Sequence, residues 1–491
     1  GLPGDFVMRD LKNSMVGAAA LALMGWFAAV SAQTTSPFTP PEEDLGVYVV
    51  NSGGGLDTGC TYRSGGPLEI RIPVPPIVSR TQLLPDGRLR NAAALIANNV
   101  VGGQAIIRFP VFDIDSTAVI APPQQPEVDR VSFNGTFRKV LSGVNNQWTD
   151  DSMVVPIEEI RFGTDNILRI DIDTANTALL WCMAVDWVAI QFNVAAPYVL
   201  THGINADRTT WEGGSAPGVL AALDERGVAY NYFTVGRNER SSDNARLLDT
   251  RIADYLREMK SKKVHIIAHS KGGLDTQELQ ARAPDFTILS LSTLSTPHGG
   301  SVAADLSIIQ KTEADRKSNL GQDPQGFAAA YLDTWTFGQG PQLPGLRDLT
   351  VRRASEARRL RLRANIANTF TFSANADLNE DEELTANESA GLFPGVAHYA
   401  AERAWQVLRN FASAPIVETT EESCFFCLGG TRTVLRYRTV PSTPQENDIV
   451  VTLDSAHPSY GRPLGIDMAN HSTIKNVDNI GTILDRTIPL R

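Results

Sequence analysis

The sequence predicts two architectures in series: an all-β sandwich, then an α/β region with a mostly parallel sheet and helices on both faces. Three observations carry this. From Gln33 to about Ala196, short β-type runs are separated by Gly, Pro, Asn and Asp clusters, with no long helical periodicity. Beyond Ala196 the rhythm changes to strands alternating with helices, the pattern of a parallel sheet. Within that second region, Val-His-Ile-Ile-Ala-His-Ser-Lys-Gly-Gly, from Val264 to Gly273, reads as a buried strand, a tight turn and the opening of a helix.

The chain has 491 residues, 42% of them hydrophobic, enough for two globular cores. Its net charge is −11 and it has no basic run, which argues against nucleic acid and anionic membrane surfaces as main partners. Met8 opens an export-signal pattern: Arg9 and Lys12 are basic, residues 15–30 are apolar, and Val30-Ser31-Ala32 offers small residues for cleavage. The expectation is an exported protein, extracellular or periplasmic, that keeps no membrane anchor. Residues 1–32 then form the leader with what precedes it, 33–196 the β region and 197–491 the α/β region. Four cysteines suit an oxidising compartment. Three pairings are open, and Cys60–Cys182 with Cys424–Cys427 is favoured. No second Cys/His pair stands at zinc-ligand spacing beside Cys424 and Cys427.

In the β region, runs at 46–50, 68–73, 105–109, 130–133, 166–172 and 187–192 are the expected strands. Ile167-Leu-Arg-Ile-Asp-Ile alternates as a half-buried strand does. Val131-Ser-Phe-Asn-Gly135 and Gly163-Thr-Asp-Asn-Ile-Leu-Arg-Ile resemble the jelly-roll modules found beside secreted hydrolases. That resemblance implies a carbohydrate-binding, surface-binding or bracing role, and Trp148, Trp181 and Trp187 are the side chains able to stack on a ligand.

In the α/β region the expected order is strand 198–201, helix 217–226, strand 228–234, helix 243–260, strand 264–267, helix 274–282 and strand 287–294. Ala268 and Gly272 flank Ser270 two residues away on each side. A nucleophile elbow needs such small neighbours to close its turn, and the helix N-terminus behind it favours developing negative charge. The five-residue pattern alone would occur by chance about once in every two chains of this length, so the flanking strand and helix carry the weight.

Val199-Leu-Thr-His-Gly-Ile204, followed some seventy residues later by the elbow, resembles the α/β-hydrolase superfamily and, within it, the secreted bacterial lipases and esterases. Ser292-Thr-Leu-Ser-Thr-Pro-His-Gly-Gly-Ser301 resembles that family's segment after the elbow helix. The resemblance implies an oxyanion hole made by the backbone N–H groups of Ile204 and Lys271. It also implies the chain order Ser, acid, His. Of seven histidines, His202, His265 and His269 precede the serine, His298 has no acid-bearing strand between itself and Ser270, and His398 falls in an apparent helix, which leaves His457 and His471. Gln445-Glu-Asn-Asp-Ile-Val-Val451 and Ala469-Asn-His-Ser472 match the lipase C-terminal pattern, which implies Asp448 as acid and His471 as base. Asp377, which also follows a strand-like run, is the rival acid. An insertion at about 305–363 suits a cap over the site.

Residues 377–388 carry Asp377, Asn379, Asp381 and Glu388 at positions one, three, five and twelve, with Leu384 at eight. This resembles an EF-hand-type loop and implies a structural calcium ion, although Glu382 takes the place of the turn glycine and no strongly helical run precedes it. No cofactor is expected for the chemistry. The function so implied is a secreted carboxylic-ester hydrolase working through a Ser-His-Asp triad and an acyl-enzyme, with a lipid or other ester as substrate. Two rivals stand beside it: a depolymerase of polyhydroxyalkanoate-type polyesters whose sandwich binds the polymer surface, and a non-catalytic secreted binding protein on a hydrolase scaffold.

Overall fold

The computed structural model describes residues 36–51, 61–116, 125–177, 181–214, 216–305, 343–354, 368–392, 396–410, 416–423, 431–438 and 443–491. The leader pattern, Cys60, Cys424, Cys427 and most of the 305–363 insertion lie outside the described residues, so of the expected cysteine pairings only Cys182 is described.

The N-terminal strands are β1 (Val47–Asn51), β2 (Thr61–Tyr62), β3 (Leu68–Val74), β4 (Val101–Phe112), β5 (Arg130–Phe133), β6 (Thr136–Val140), β7 (Trp148–Pro156), β8 (Thr164–Asp171), β9 (Cys182–Val185) and β10 (Trp187–Val194). They form two antiparallel sheets, one in the order β1-β10-β4-β9-β2 with β7 also on β4, the other β3-β8-β5-β6. Alternation sets their faces: Ile70, Ile72 and Val74 of β3 turn inward with Leu168 and Ile170 of β8, while Glu69 and Arg71 turn out. Ala105, Ile107, Phe109 and Val111 do the same on β4, and the buried faces of both sheets share one apolar cluster.

β7 was not among the expected strands; it contains Asp150-Asp151-Ser152, residue types that rarely favour strands. Partners supplied by other strands override that local preference: Arg108 forks onto Asp150 at 2.6 Å, and Lys139 pairs with Asp151 at 2.5 Å. Nor is Trp187 a stacking platform. It is buried, and its indole N–H donates to the carbonyl of Phe38 at 2.8 Å. Trp148 packs against Phe112, with ring centroids 5.3 Å apart.

The α/β region builds one parallel sheet from β11 (Tyr198–Thr201), β12 (Tyr230–Phe233), β13 (Lys263–His269), β14 (Thr287–Leu294), β15 (Thr369–Asn375) and, later in the chain, β18 (Arg462–Met468). Its order is β12-β11-β13-β14-β15-β18, every pair parallel. β16 (Ile416–Ser423) and β17 (Thr431–Arg438), which lie before β18, form a separate antiparallel hairpin. The helices are α1 (Ala92–Ala97), α2 (Val219–Arg226), α3 (Ser241–Glu258), α4 (Lys271–Ala281), α5 (Leu343–Leu349), α6 (His398–Asn410), α7 (Leu453–Ala456) and α8 (Val477–Thr487). Valine, isoleucine and leucine fill the central strands, which are buried along nearly their whole length. The two regions meet where Val78 bridges Val228, and the Ser79 N–H donates to the carbonyl of Gly227 at 2.9 Å.

α4 can approach the sheet because glycine opens it. A Cβ on Gly272 would come within 2.7 Å of the His202 carbonyl oxygen and of Thr201 Oγ1. Gly481, in α8, has nothing within 4 Å of the same point. Gly272→Ala should therefore destabilise by about 1–3 kcal/mol, whereas Gly481→Ala should stabilise by about 0.5–1 kcal/mol through helix propensity. Chemical denaturation of the two variants checks this, and equal shifts would refute the close approach.

Candidate active site

The C-terminal ends of the parallel strands gather the chemistry, as open α/β sheets do. β13 runs into Ser270, which caps α4 with φ 54° and ψ −129°. Few non-glycine residues adopt that backbone, so the surroundings must enforce it. They do so from several sides: the Ser270 N–H donates to the Leu294 carbonyl at 3.0 Å, and the Ser270 carbonyl accepts from Thr296 Oγ1 at 2.8 Å and the Gly273 N–H at 3.1 Å.

β18 leads to the turn that carries His471. Its Nε2 lies 2.9 Å from Ser270 Oγ and its Nδ1 2.8 Å from Asp448 Oδ2. All three side chains are buried. The other carboxylate oxygen of Asp448 accepts the N–H groups of Val450 at 2.9 Å and Val451 at 2.7 Å, and the Asp448 carbonyl accepts the His471 N–H at 3.0 Å. The acid is thus fixed by its own turn before it meets the imidazole. With Nδ1–H given to a carboxylate, Nε2 is left to take a proton from Ser270.

The strand-like run expected before Asp448 is β17, which belongs to the separate hairpin, and the acid turn docks at the end of β15, where the Ala376 N–H donates to the Asn447 carbonyl at 3.0 Å. Asp377, the rival, leaves that same strand end but faces its own loop. Its two oxygens accept the N–H groups of Asp381 at 3.1 Å and Glu382 at 3.0 Å.

The residues expected to hold calcium hydrogen-bond within their own loop. Besides Asp377, Glu388 accepts the N–H groups of Leu378 at 2.8 Å and Thr385 at 2.6 Å, while Asn379 donates to Asp381 at 2.8 Å. The carboxylates thus satisfy loop N–H donors. Both Glu380 and Glu382 have positive φ, and among the described residues no group of three or more His, Cys, Asp or Glu is placed to hold a metal ion. The loop still matters to the site, because Asn470, next to His471, donates to the carbonyls of Glu388 at 3.0 Å and Ala390 at 2.8 Å.

Gly203 and Ile204 sit beside the elbow. A Cβ on Gly203 would come within 2.7 Å of Ser270 Cβ. His202 fixes this loop: its Nε2 accepts the Val235 N–H at 3.0 Å, so Nδ1 is the protonated nitrogen and donates to the Gly203 carbonyl at 2.8 Å. Burial pulls its pKa below the usual value, consistent with that neutral tautomer. Lys271, first residue of α4, is fully buried as an ion pair with Asp275 at 2.6 Å. Asp275 also accepts from Asn244 at 2.8 Å. His269 is the other neighbour. Its Nε2–H donates to the His471 carbonyl at 2.6 Å, and burial, with Lys475 and His471 nearby, holds its pKa well below the usual value.

A cavity of about 640 Å³ opens on Ser270 and His471. Leu346 and Leu349 of α5, the described part of the insertion, join Ile204 and Ala304 on its apolar side. Thr210 and Lys475 also line it and were not singled out from the sequence. Lys475 stands four residues after His471, and that proximity was the available signal.

No family model matches the chain. Triacylglycerol lipase 2 of Saccharomyces cerevisiae is 39% identical over 94 residues, which are 18% of this chain and 29% of that protein. The chain therefore spans less than a third of that relative's length. The mature Bacillus licheniformis lipase BlEst2 superposes with a TM-score of 0.40 and 17% identity, covering 60% of this chain and 92% of that one. The metagenomic carboxyl esterase MGS0156 gives a TM-score of 0.34 and 14% identity over 60% and 76% of the two chains. Among the described residues no helix is long and apolar enough to cross a membrane.

Since the acidic loop closes on its own N–H groups, neither millimolar calcium nor chelator should shift the melting temperature. A rise with calcium that Asp377→Asn abolishes would reinstate the ion.

Proposed function

We propose that this chain hydrolyses carboxylic esters, with Ser270 as nucleophile, His471 as general base and Asp448 as the acid that orients it. The observation that carries the reading is the buried chain of hydrogen bonds Asp448–His471–Ser270, at 2.8 and 2.9 Å, opening on a cavity at the N-terminus of α4.

In the proposed cycle Ser270 Oγ attacks the ester carbonyl carbon as its proton passes to His471 Nε2. The carbonyl oxygen becomes an oxyanion held by the N–H groups of Ile204 and Lys271. These donors are fixed in advance by the His202 hydrogen bonds and by the first turn of α4. Collapse breaks the bond to the alcohol oxygen, which takes the proton from His471. Water then attacks the acyl-enzyme, giving its proton to His471, and the acid leaves as Ser270 regains that proton. Asp448 stabilises the imidazolium that forms twice in each cycle. The apolar side of the cavity suits the acyl chain.

The same reading makes the N-terminal sheets an accessory β-sandwich of a secreted hydrolase. Their role is to brace the catalytic region, in line with the shared apolar cluster and with a Trp187 that is packed inside. The binding-protein alternative is disfavoured by the Ser270 backbone, since a strained elbow has no purpose on a scaffold that does no chemistry.

Ser270→Ala should lower turnover of a short p-nitrophenyl ester by about three orders of magnitude or more while the melting temperature stays within a few degrees. Asp448→Asn should lower it by about two to four orders, and Asp377→Asn by less than about threefold. Near wild-type turnover by folded Ser270→Ala, or a reversed order of the two aspartates, would overturn the assignment.

A further inference from the structure

Ser270 and His471 stand 201 residues apart in the chain, and their strands are not neighbours: β14 and β15 lie between β13 and β18. Strand pairing alone therefore leaves the 2.9 Å approach of His471 Nε2 to Ser270 Oγ to be set by local ties. The main chain of His471 is tied on both sides. Its N–H donates to the Asp448 carbonyl at 3.0 Å, which joins the base to the turn of the acid. Its carbonyl accepts the Nε2–H of His269 at 2.6 Å, which joins the base to the elbow. Since His269 and Ser270 are consecutive, this second bond closes a ring through the reacting pair.

His269 is a costly residue if it only fills space. It ends β13 and is 4% exposed, with its ring centroid 4.9 Å from that of His471. Its Nδ1 is buried and meets no hydrogen-bond partner among the described residues. A buried acceptor left unpaired is unfavourable, whereas a phenylalanine would fill the same space without that penalty. What the histidine adds is the Nε2–H. The donor also has to be neutral. Burial, with Lys475 and His471 close by, holds the His269 pKa well below the usual value. A cationic donor at this position would oppose the imidazolium that His471 becomes during turnover.

We infer that His269 is a positioning residue: its hydrogen bond to the His471 carbonyl sets the distance between base and nucleophile. The inference rests on the ester-hydrolase reading and adds to it the device that aligns the reacting pair. His269 itself exchanges no proton with the substrate.

The test measures kcat and KM of the full chain on a short p-nitrophenyl ester, with melting temperatures, for three variants. His269→Phe keeps a ring without the donor. His269→Gln carries an amide N–H about where Nε2–H stands, while the amide of His269→Asn extends only to about the position of Nδ1. The Phe and Asn variants should lose about ten- to a hundredfold in kcat, the scale of a misplaced reacting group, with KM within about threefold of wild type. His269 borders the cavity, so that split is part of the test. The Gln variant should recover kcat to within about threefold of wild type, because one neutral donor replaces another. If the Phe variant does not fold, the comparison of Gln with Asn decides. Wild-type kcat in folded Phe or Asn variants, a Gln variant no better than Asn, or a change confined to KM would overturn the inference. Loss of a cooperative melt in all three would also overturn it, by making His269 a purely structural residue. If wild type itself cleaves no p-nitrophenyl ester, it is the hydrolase reading that fails. An active wild type matched by its variants removes only the positioning role.

Discussion

The backbone of Ser270 is the constraint on which the site depends. A serine at φ 54° and ψ −129° is unfavourable by about 1–3 kcal/mol, and it persists only where packing over-determines it. Here β13 is held between β11 and β14, and α4 is pressed onto the sheet behind it. That pressure explains the glycines. Gly203 lies against Ser270 itself, and Gly272 lies against the backbone of β11. In the proposed cycle that first helical turn supplies N–H donors for the developing charge. The buried pair Lys271–Asp275, tied on to Asn244 and from there to the Gly236 carbonyl at 3.0 Å, locks that turn to α3 and the loop before it. Removing one member of such a pair strands a charge in the interior, with a penalty of roughly 3–5 kcal/mol.

Much of this was legible because it is local. The strands at Tyr198–Thr201 and Thr287–Leu294 coincide with the sequence expectation, since their apolar runs are short, continuous and bounded by breakers. The elbow was legible for the same reason: strand, small residue, serine, glycine and helix are contiguous. What escaped depends on distant partners. β7 exists because arginine and lysine from other strands take up its aspartates. β18, with Gly465 and Pro463 inside it, carries a weak strand signal and is a largely exposed edge strand, fixed by its pairing with β15. Asp448 lies in order before His471, but its placement by β15 is a matter of topology that no local pattern encodes.

The acidic loop has a role within the chain itself. Spacing alone makes Asp377, Asn379, Asp381 and Glu388 look like ligands to a cation. The fold instead uses the carboxylates as acceptors for the N–H groups of a loop with two non-glycine residues at positive φ. A carboxylate that accepts two N–H bonds is stabilised in its charged form without a cation. The loop's own carbonyls then hold Asn470, so an element that resembled an ion site becomes a brace for the turn that bears His471.

The central claim is that Ser270 is a nucleophile activated by His471 and open to the cavity. Its most direct test is a covalent one. The full chain would be treated with a p-nitrophenyl alkylphosphonate, which phosphonylates an activated serine and releases p-nitrophenol, and then analysed by intact mass and peptide mapping. The account predicts one phosphonyl group per chain, on Ser270, with p-nitrophenol released in equal amount. No adduct on folded protein, or stoichiometric labelling of a different residue, would contradict it.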